Sequence, residues 1–79
     1  MKLTYDPKHN VAYIRLREPA AQVDTIHVSD ELNVDLAPDG SVYGIEFLNA
    51  NEQLAHPDSG LLELVNEESG QSAKIKLTG

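Results

Sequence analysis

The stretch ELNVDLAPDGSVYGIEFL, residues 31–48, consists of two strand-forming segments on either side of one turn. Polar and apolar residues alternate from Glu31 to Leu36, which is typical of a strand with one face in the core and the other in water. Residues 37–40, Ala-Pro-Asp-Gly, have the composition of a tight turn. The following segment, residues 41–48, is rich in β-branched and aromatic residues, so the stretch predicts a β-hairpin.

The register of this hairpin remains open between two solutions. A three-residue loop with Gly40 in the left-handed conformation places Glu46 at the border of the core. A loop of two or four residues puts Glu46 outside, beside Glu31, because a shift of one residue moves every side chain to the other face. The turn residues favour the first register. The number of apolar side chains brought together favours the second, which gathers Tyr43, Ile45 and Phe47 on the core face.

Further strands are predicted on the N-terminal side of this hairpin. The turn at residues 6–10, with Pro7 and Asn10, separates a strand at residues 3–5 from a second at 11–16. A loop containing Pro19 precedes a third strand at residues 23–28, which is marked by its β-branched content.

The C-terminal part predicts one short helix and an ambiguous tail. Residues 49–55 begin with an asparagine suited to a helix cap and end before Pro57. Residues 61–65 suit either a helix capped by Asp58 or Ser59, or a strand paired with residues 73–77; the Ser-Gly turn between the two segments favours the hairpin. The fold class predicted is α+β, mainly β: an antiparallel meander of about five strands with one short helix and a possible extra C-terminal strand. We expect a single domain over residues 1–79, with a core at 1–55 and a tail at 56–79 packed on it.

Length and residue usage limit the kinds of protein that this chain can be. A domain of 79 residues buries only about 60% of the surface that its unfolded chain exposes, so a second copy or a partner would stabilise it. The absence of cysteine excludes disulfides and thiolate metal ligands. The first ten residues lack the apolar core of a signal peptide, and no later stretch reaches transmembrane length. We therefore expect a cytoplasmic protein that does not bind membranes.

Charge is unevenly distributed along the chain. The formal net charge is −7, and all six Lys and Arg residues lie in residues 2–17 and 74–76, whereas residues 18–73 carry twelve acids. Such a surface repels phosphate backbones, which disfavours binding to DNA or RNA. A basic protein is the natural complement, although a charge of this size also simply keeps a small domain soluble.

No motif in the chain indicates catalysis, a cofactor or a metal. Asp35, Asp39, Gly40 and Glu46 match four positions of a calcium-binding loop, but Ala37 stands at a ligand position and the flanks have the period of strands. The three histidines, at positions 9, 27 and 56, lack the spacing of a zinc site. The glycines form no phosphate-binding loop. We predict that the protein is not an enzyme and that it needs no cofactor.

Glu46 is the residue that most needs an explanation, because it interrupts an apolar run. It could centre a small-molecule or metal site with Asp35, Glu31 or a histidine, or it could form an ion pair with Arg15 or Arg17. The favoured prediction is a non-enzymatic module that binds another protein or forms a homodimer, because the meander leaves some apolar side chains uncovered. The residues predicted to take part in that interaction are Tyr13, Tyr43, Ile45, Glu46 and Phe47.

Four short segments, in their order and spacing, resemble a known family. They are Tyr5-Asp6-Pro7, residues 11–16 (VAYIRL), Asp39-Gly40 and residues 44–50 (GIEFLNA). On these segments, residues 1 to about 55 resemble the small prokaryotic domain-of-unknown-function family catalogued as 2283. The resemblance implies a single small domain without established activity, and a structural or functional role for Glu46. By analogy with small proteins found beside toxin-like proteins, an antitoxin-like pairing with a basic protein is an alternative.

Overall fold

The computed structural model describes residues 1–18 and 22–77 and is built almost entirely from antiparallel strands. Five strands form one sheet and two form a separate hairpin, which confirms a mainly β protein and the strand pairing predicted for the tail. Strands in the first sheet are β1 (Lys2–Asp6), β2 (Val11–Arg15), β3 (Asp24–Ser29), β4 (Leu32–Leu36) and β5 (Val42–Leu48). The hairpin consists of β6 (Leu61–Val65) and β7 (Ser72–Lys76).

The order of strands in the large sheet is β1-β2-β5-β4-β3, so the predicted meander is wrong. A meander would place β3 beside β2, but β5 occupies that position and β3 lies at the edge. The physical reason is the length of the connection: residues 16–23 separate β2 from β3, whereas tight hairpins use two to five residues. The three short turns, at residues 7–10, 30–31 and 37–41, do join neighbouring strands.

The central hairpin satisfies both of the registers that the sequence left open. At the turn, Ala37 N donates to Ser41 O at 2.8 Å and Gly40 has a φ of +88°, as in the three-residue loop. Leu36 therefore pairs with Val42, but an irregularity follows, and Asp35 then pairs with Gly44. This β-bulge shifts the rest of the strand by one residue. Glu46 consequently lies on the outer face, opposite Asn33 rather than beside Glu31.

The pairing sorts the side chains of the sheet into two faces of opposite character. Since side chains alternate along a strand, residues paired across the strands share a face. The apolar face contains Leu3, Tyr5, Ala12, Ile14, Ile26, Leu32, Val34, Ile45 and Phe47. The other face, called the polar face, contains Lys2, Thr4, Asp6, Tyr13, Arg15, Thr25, His27, Asn33, Asp35, Gly44 and Glu46, with the apolar pair Val11 and Leu48 at one end.

The short helix predicted at residues 49–55 is not an α-helix. Asn51–Ala55 forms a single π-type turn, and Pro57–Gly60 forms a 3-10 turn that includes positive φ at Asp58 and Ser59. The segment is too short to stabilise an α-helix before the proline, because nucleation of a helix is costly. No helical segment among the described residues has the length and apolar content needed to cross a membrane.

A cluster of three asparagines ties this turn to the loop between β1 and β2. Asn10, with a φ of +59°, accepts a hydrogen bond from Asn51 N at 2.7 Å through its side chain. Its carbonyl accepts one from Ala50 N at 3.2 Å, and its amide lies 3.3 Å from Asn49 Oδ1. The Tyr5 hydroxyl donates to Asn51 Oδ1. The turn is therefore capped by a residue about 40 positions away, and Ala50 beneath it is fully buried.

The C-terminal hairpin meets one end of the apolar face. The hydrogen bonds of residues 61–77 in the described structure run among these residues and to the neighbouring carbonyls of Asp58 and Gly60. It faces the large sheet across an apolar cleft, which is lined by Met1, Leu3 and Ile14 and, from the C-terminal part, by Leu62, Leu64, Ile75 and Leu77.

Candidate functional site

Glu46 lies at the centre of the polar face, between Tyr13 on β2 and Asn33 on β4. Asn33 Nδ2 donates a hydrogen bond to Glu46 Oε1 at 2.9 Å. The predicted ion pair of Glu46 with Arg15 or Arg17 is absent among the described residues, and the Arg17 guanidinium lies 3.8 Å from Asp39 instead. The acid is accommodated in the strand because its side chain is on the outer face and has an amide donor directly opposite.

Tyr13 crosses β5 to reach a carboxylate on the next strand. Its hydroxyl donates to Asp35 Oδ2 at 2.7 Å, although β2 and β4 are separated by β5. The ring passes over Gly44, where an added Cβ would collide with the hydroxyl and ring atoms of Tyr13. Gly44 is therefore required for space, since any side chain at this position would displace the tyrosine.

The environment of Tyr13 keeps its hydroxyl protonated. Burial raises the pKa of Tyr13 far above its usual value, and the hydrogen bond and negative charge of Asp35 raise that pKa further. A phenol in this state donates a hydrogen bond and supplies neither a base nor an anionic nucleophile near neutral pH. Tyr13 thus links β2 to β4 through a hydrogen bond.

The other polar side chains extend these contacts to the edge of the sheet. Asp35 Oδ1 accepts a hydrogen bond from Thr25 Oγ1 at 2.6 Å. Asn33 uses its amide for Glu46, so its Oδ1 accepts from His27 Nδ1 at 2.9 Å. Two hydrogen-bonded chains therefore run side by side across the polar face, and the groups that could contact a ligand are bonded to one another instead.

The groups considered for a metal site do not converge. Asp39 accepts hydrogen bonds from the backbone and hydroxyl of Ser41, and these bonds, with Arg17 nearby, lower the pKa of Asp39. Asp35 is engaged by Tyr13 and Thr25. Within residues 1–18 and 22–77, no group of three or more His, Asp or Glu side chains is placed to hold a metal ion.

The five residues predicted for an interaction site fall in different places. Tyr13 and Glu46 lie opposite each other on the polar face, whereas Ile45 and Phe47 lie on the apolar face. Tyr43 lies at the bulge, where its carbonyl accepts a hydrogen bond from Leu16 N at 2.9 Å. The bulge thus divides the predicted group between two faces.

Sequence analysis did not identify Asn33 as the partner of Glu46, or Thr25 as a partner of Asp35. The alternation in β4 is the signal that could have found Asn33, since Asn33 and Asp35 occupy its polar positions. The bonds of Thr25 and Tyr13 to Asp35 depend on the order of the strands, and the alternation of residues along a strand does not predict that order.

The comparisons with known proteins give a family and no activity. A family model with the description "Protein of unknown function (DUF2283)" matches residues 2–51, which include β1 to β5 and the asparagine cluster. No curated protein and no solved structure matches the chain.

Proposed function

The chain belongs to the DUF2283 family of proteins of unknown function, and we propose that it is a non-enzymatic assembly module that forms a homodimer through its apolar face. In this dimer the five-stranded sheets of two copies stack face to face, as the sheets of a β-sandwich do. The apolar face itself carries the proposal.

The apolar face has the composition of a core but not the burial of one. A single row of it runs Leu3, Ile14, Ile45, Val34 and Ile26 across all five strands. Among the residues described, the only buried hydrophobic side chains are those of Ala12 and Ala50. Burying apolar surface contributes about 25 cal/mol per Å², so this face has a strong tendency to associate with another apolar surface.

The C-terminal hairpin covers too little of this face to replace a partner. It meets the β1 and β2 end of the row, where Leu3 and Ile14 line the shared cleft. Ile26, at the opposite end, is 47% exposed, and the hairpin's own Ile75 is 49% exposed. A second copy supplies an apolar surface of matching size and shape for both.

The polar face supports a role other than catalysis. Its carboxylates, Asp35 and Glu46, accept hydrogen bonds from side chains of the same sheet, and the pKa of Tyr13 is raised. These contacts hold β2, β5, β4 and β3 together. We assign them to stiffening the sheet, so that its other face is a flat and constant surface for the second copy.

The test is the mass of the protein in solution, measured by light scattering over a range of protein and salt concentrations. We expect twice the mass of one chain, and we expect the dimer to persist at high salt because its interface is apolar. Ile26→Ser should shift the equilibrium to monomer and leave the circular dichroism spectrum unchanged, since Ile26 is half exposed in one copy. His27→Ser changes the neighbouring residue on the polar face and should leave the dimer intact. A folded monomer at every concentration, or equal loss of dimer in both variants, contradicts the proposal.

A further inference from the structure

We propose that the free edge of β3 is a second docking surface, separate from the apolar face, which accepts an extended segment of a basic protein as an added strand. In such binding the backbone of the added segment completes the sheet, and side chains at the ends select the partner. Three features of β3 support this: unused backbone hydrogen-bonding groups, the absence of protective Lys or Pro, and acidic residues at both ends.

The backbone of β3 has hydrogen-bonding groups that the sheet does not use. Alternate residues of an antiparallel strand bond to the neighbour on each side. Leu48 N donates to Glu31 O at 3.0 Å, so Glu31 and every second residue after it bond to β5. The intervening residues of β4 bond to β3, and one of them, Val34, is paired with Ile26. The N–H and C=O groups of Thr25 and His27 therefore point outward, away from β4.

The two edges of the sheet differ in how they are protected. Lysine and proline are common at strand edges because they discourage pairing with other chains. Edge strand β1 contains Lys2 and ends beside Pro7, and its Leu3 lies in the cleft below the C-terminal hairpin. Edge strand β3, with the sequence DTIHVS, has neither residue and is exposed along its whole length. No strand among the described residues pairs with its outer edge.

The charges around β3 fit a basic segment better than a second copy. Asp24 begins the strand and Asp30 follows it, and the sequence has no Lys or Arg from residue 18 to residue 73. Two copies of β3 paired antiparallel about His27 would place Asp24 of one copy opposite Asp30 of the other. Like charges directly opposite each other destabilise a strand pair, whereas Lys or Arg at those positions stabilises it. The partner is thus a segment with β-branched residues between two basic ends.

The experiment uses the full chain and a capped fluorescent peptide, Lys-Val-Thr-Val-Thr-Val-Lys, with binding followed by anisotropy at fixed salt. We expect saturable binding that weakens at least tenfold when glutamates replace the two lysines. Thr25→Pro should still fold, because proline is tolerated in an edge strand where the N–H faces solvent. It removes one outward N–H that the peptide would use, so we expect binding to weaken at least tenfold. The matched control, Thr25→Val, loses the same hydroxyl contact to Asp35 but keeps the N–H, and should bind within twofold of the unmodified chain.

A second measurement does not depend on the folding of any variant. The same peptide with N-methyl groups on alternate amides cannot donate along one edge, and we expect one of the two methylation patterns to abolish binding to the unmodified protein. Equal binding by both patterns, or by the glutamate peptide, overturns the proposal. Loss of the dimer in Thr25→Pro but not in Thr25→Val also overturns it, because a second copy would then occupy the edge. The proposed dimer is tested separately, since Ile26→Ser should bind the peptide even as a monomer.

Discussion

The two faces of the five-stranded sheet come from the same strands but are completed in different ways. On β5, Glu46 has an amide donor 2.9 Å away within the sheet, whereas neighbouring Ile45 faces a surface that the chain covers only at one end. Polar groups bond over short distances to a single directed partner, so one chain can satisfy them. An apolar face is buried only when a second layer of structure packs on it, and the C-terminal hairpin supplies such a layer at one end alone. In the proposed dimer, therefore, the polar face stabilises one copy and the apolar face holds the two copies together.

The largest expected effect that tests this comparison is at Gly44. Gly44→Ala places a methyl group where the Tyr13 hydroxyl now lies, so the ring must move and the bond to Asp35 is lost. We expect a loss of about 2–3 kcal/mol in the free energy of unfolding, measured with urea. The control is Gly40→Ala, where an added Cβ meets nothing within 4 Å and only the positive φ is unfavourable. We expect that control to cost about 1 kcal/mol, and a Gly44 variant no worse than it contradicts the role given to Gly44.

A smaller effect is expected at Asn10, the centre of the asparagine cluster. Asn10→Ala removes the cap on Asn51 N and puts alanine at a positive φ, which should cost about 2 kcal/mol. Asn10→Gly loses only the side-chain bond, so we expect about half of that cost. Both changes should leave the mass in solution unaltered at temperatures below unfolding, because neither touches the apolar face. A change in mass without a change in stability would show that the two faces are not separate in function.

The smallest effect is a shift in titration. The folded chain holds the Tyr13 proton more tightly than the unfolded chain, in which the pKa is about 10. The stabilisation from this group is therefore fully present below pH 10 and is lost as the pH rises above it, when the unfolded chain ionises first. Asp35→Asn removes the adjacent charge, so the pKa of Tyr13 should fall and stability should decline less steeply in alkali. Absorbance of the phenolate measures the titration, and Thr25→Val, which keeps that charge, serves as the control. An unchanged Tyr13 titration in Asp35→Asn would mean that burial alone is responsible.

The sequence predicted the strands well because strand signals are local. The left-handed conformation of Gly40 was expected from turn chemistry, which depends on the φ and ψ preferences of a few adjacent residues. The tail hairpin was likewise indicated by its Ser-Gly turn. The predicted helix failed because the Asn49–Ala55 segment has helix-forming residues but too few of them to form a stable helix.

Contacts between distant residues were beyond the reach of the sequence pattern. Nothing in the residues of β2 indicates that β5 will lie beside it, so the meander was a default expectation, and the observed strand order contradicts it. The support of Tyr13 by Asp35 follows from that strand order. The capping of Asn51 by Asn10 depends in the same way on the pairing of β2 with β5.

The amino-acid sequence determined the turns, the strands, the hairpin in the tail and the acidic balance, because these follow from the properties of neighbouring residues. The tertiary structure decided the order of the strands, the bulge at Asp35 and Leu36, and the face on which Glu46 lies. The bulge reconciles two demands that arise in different places. Turn geometry fixes the pairing beside Gly40, and the placement of Ile45 and Phe47 on the apolar face fixes it farther along the strand, so one register cannot satisfy both.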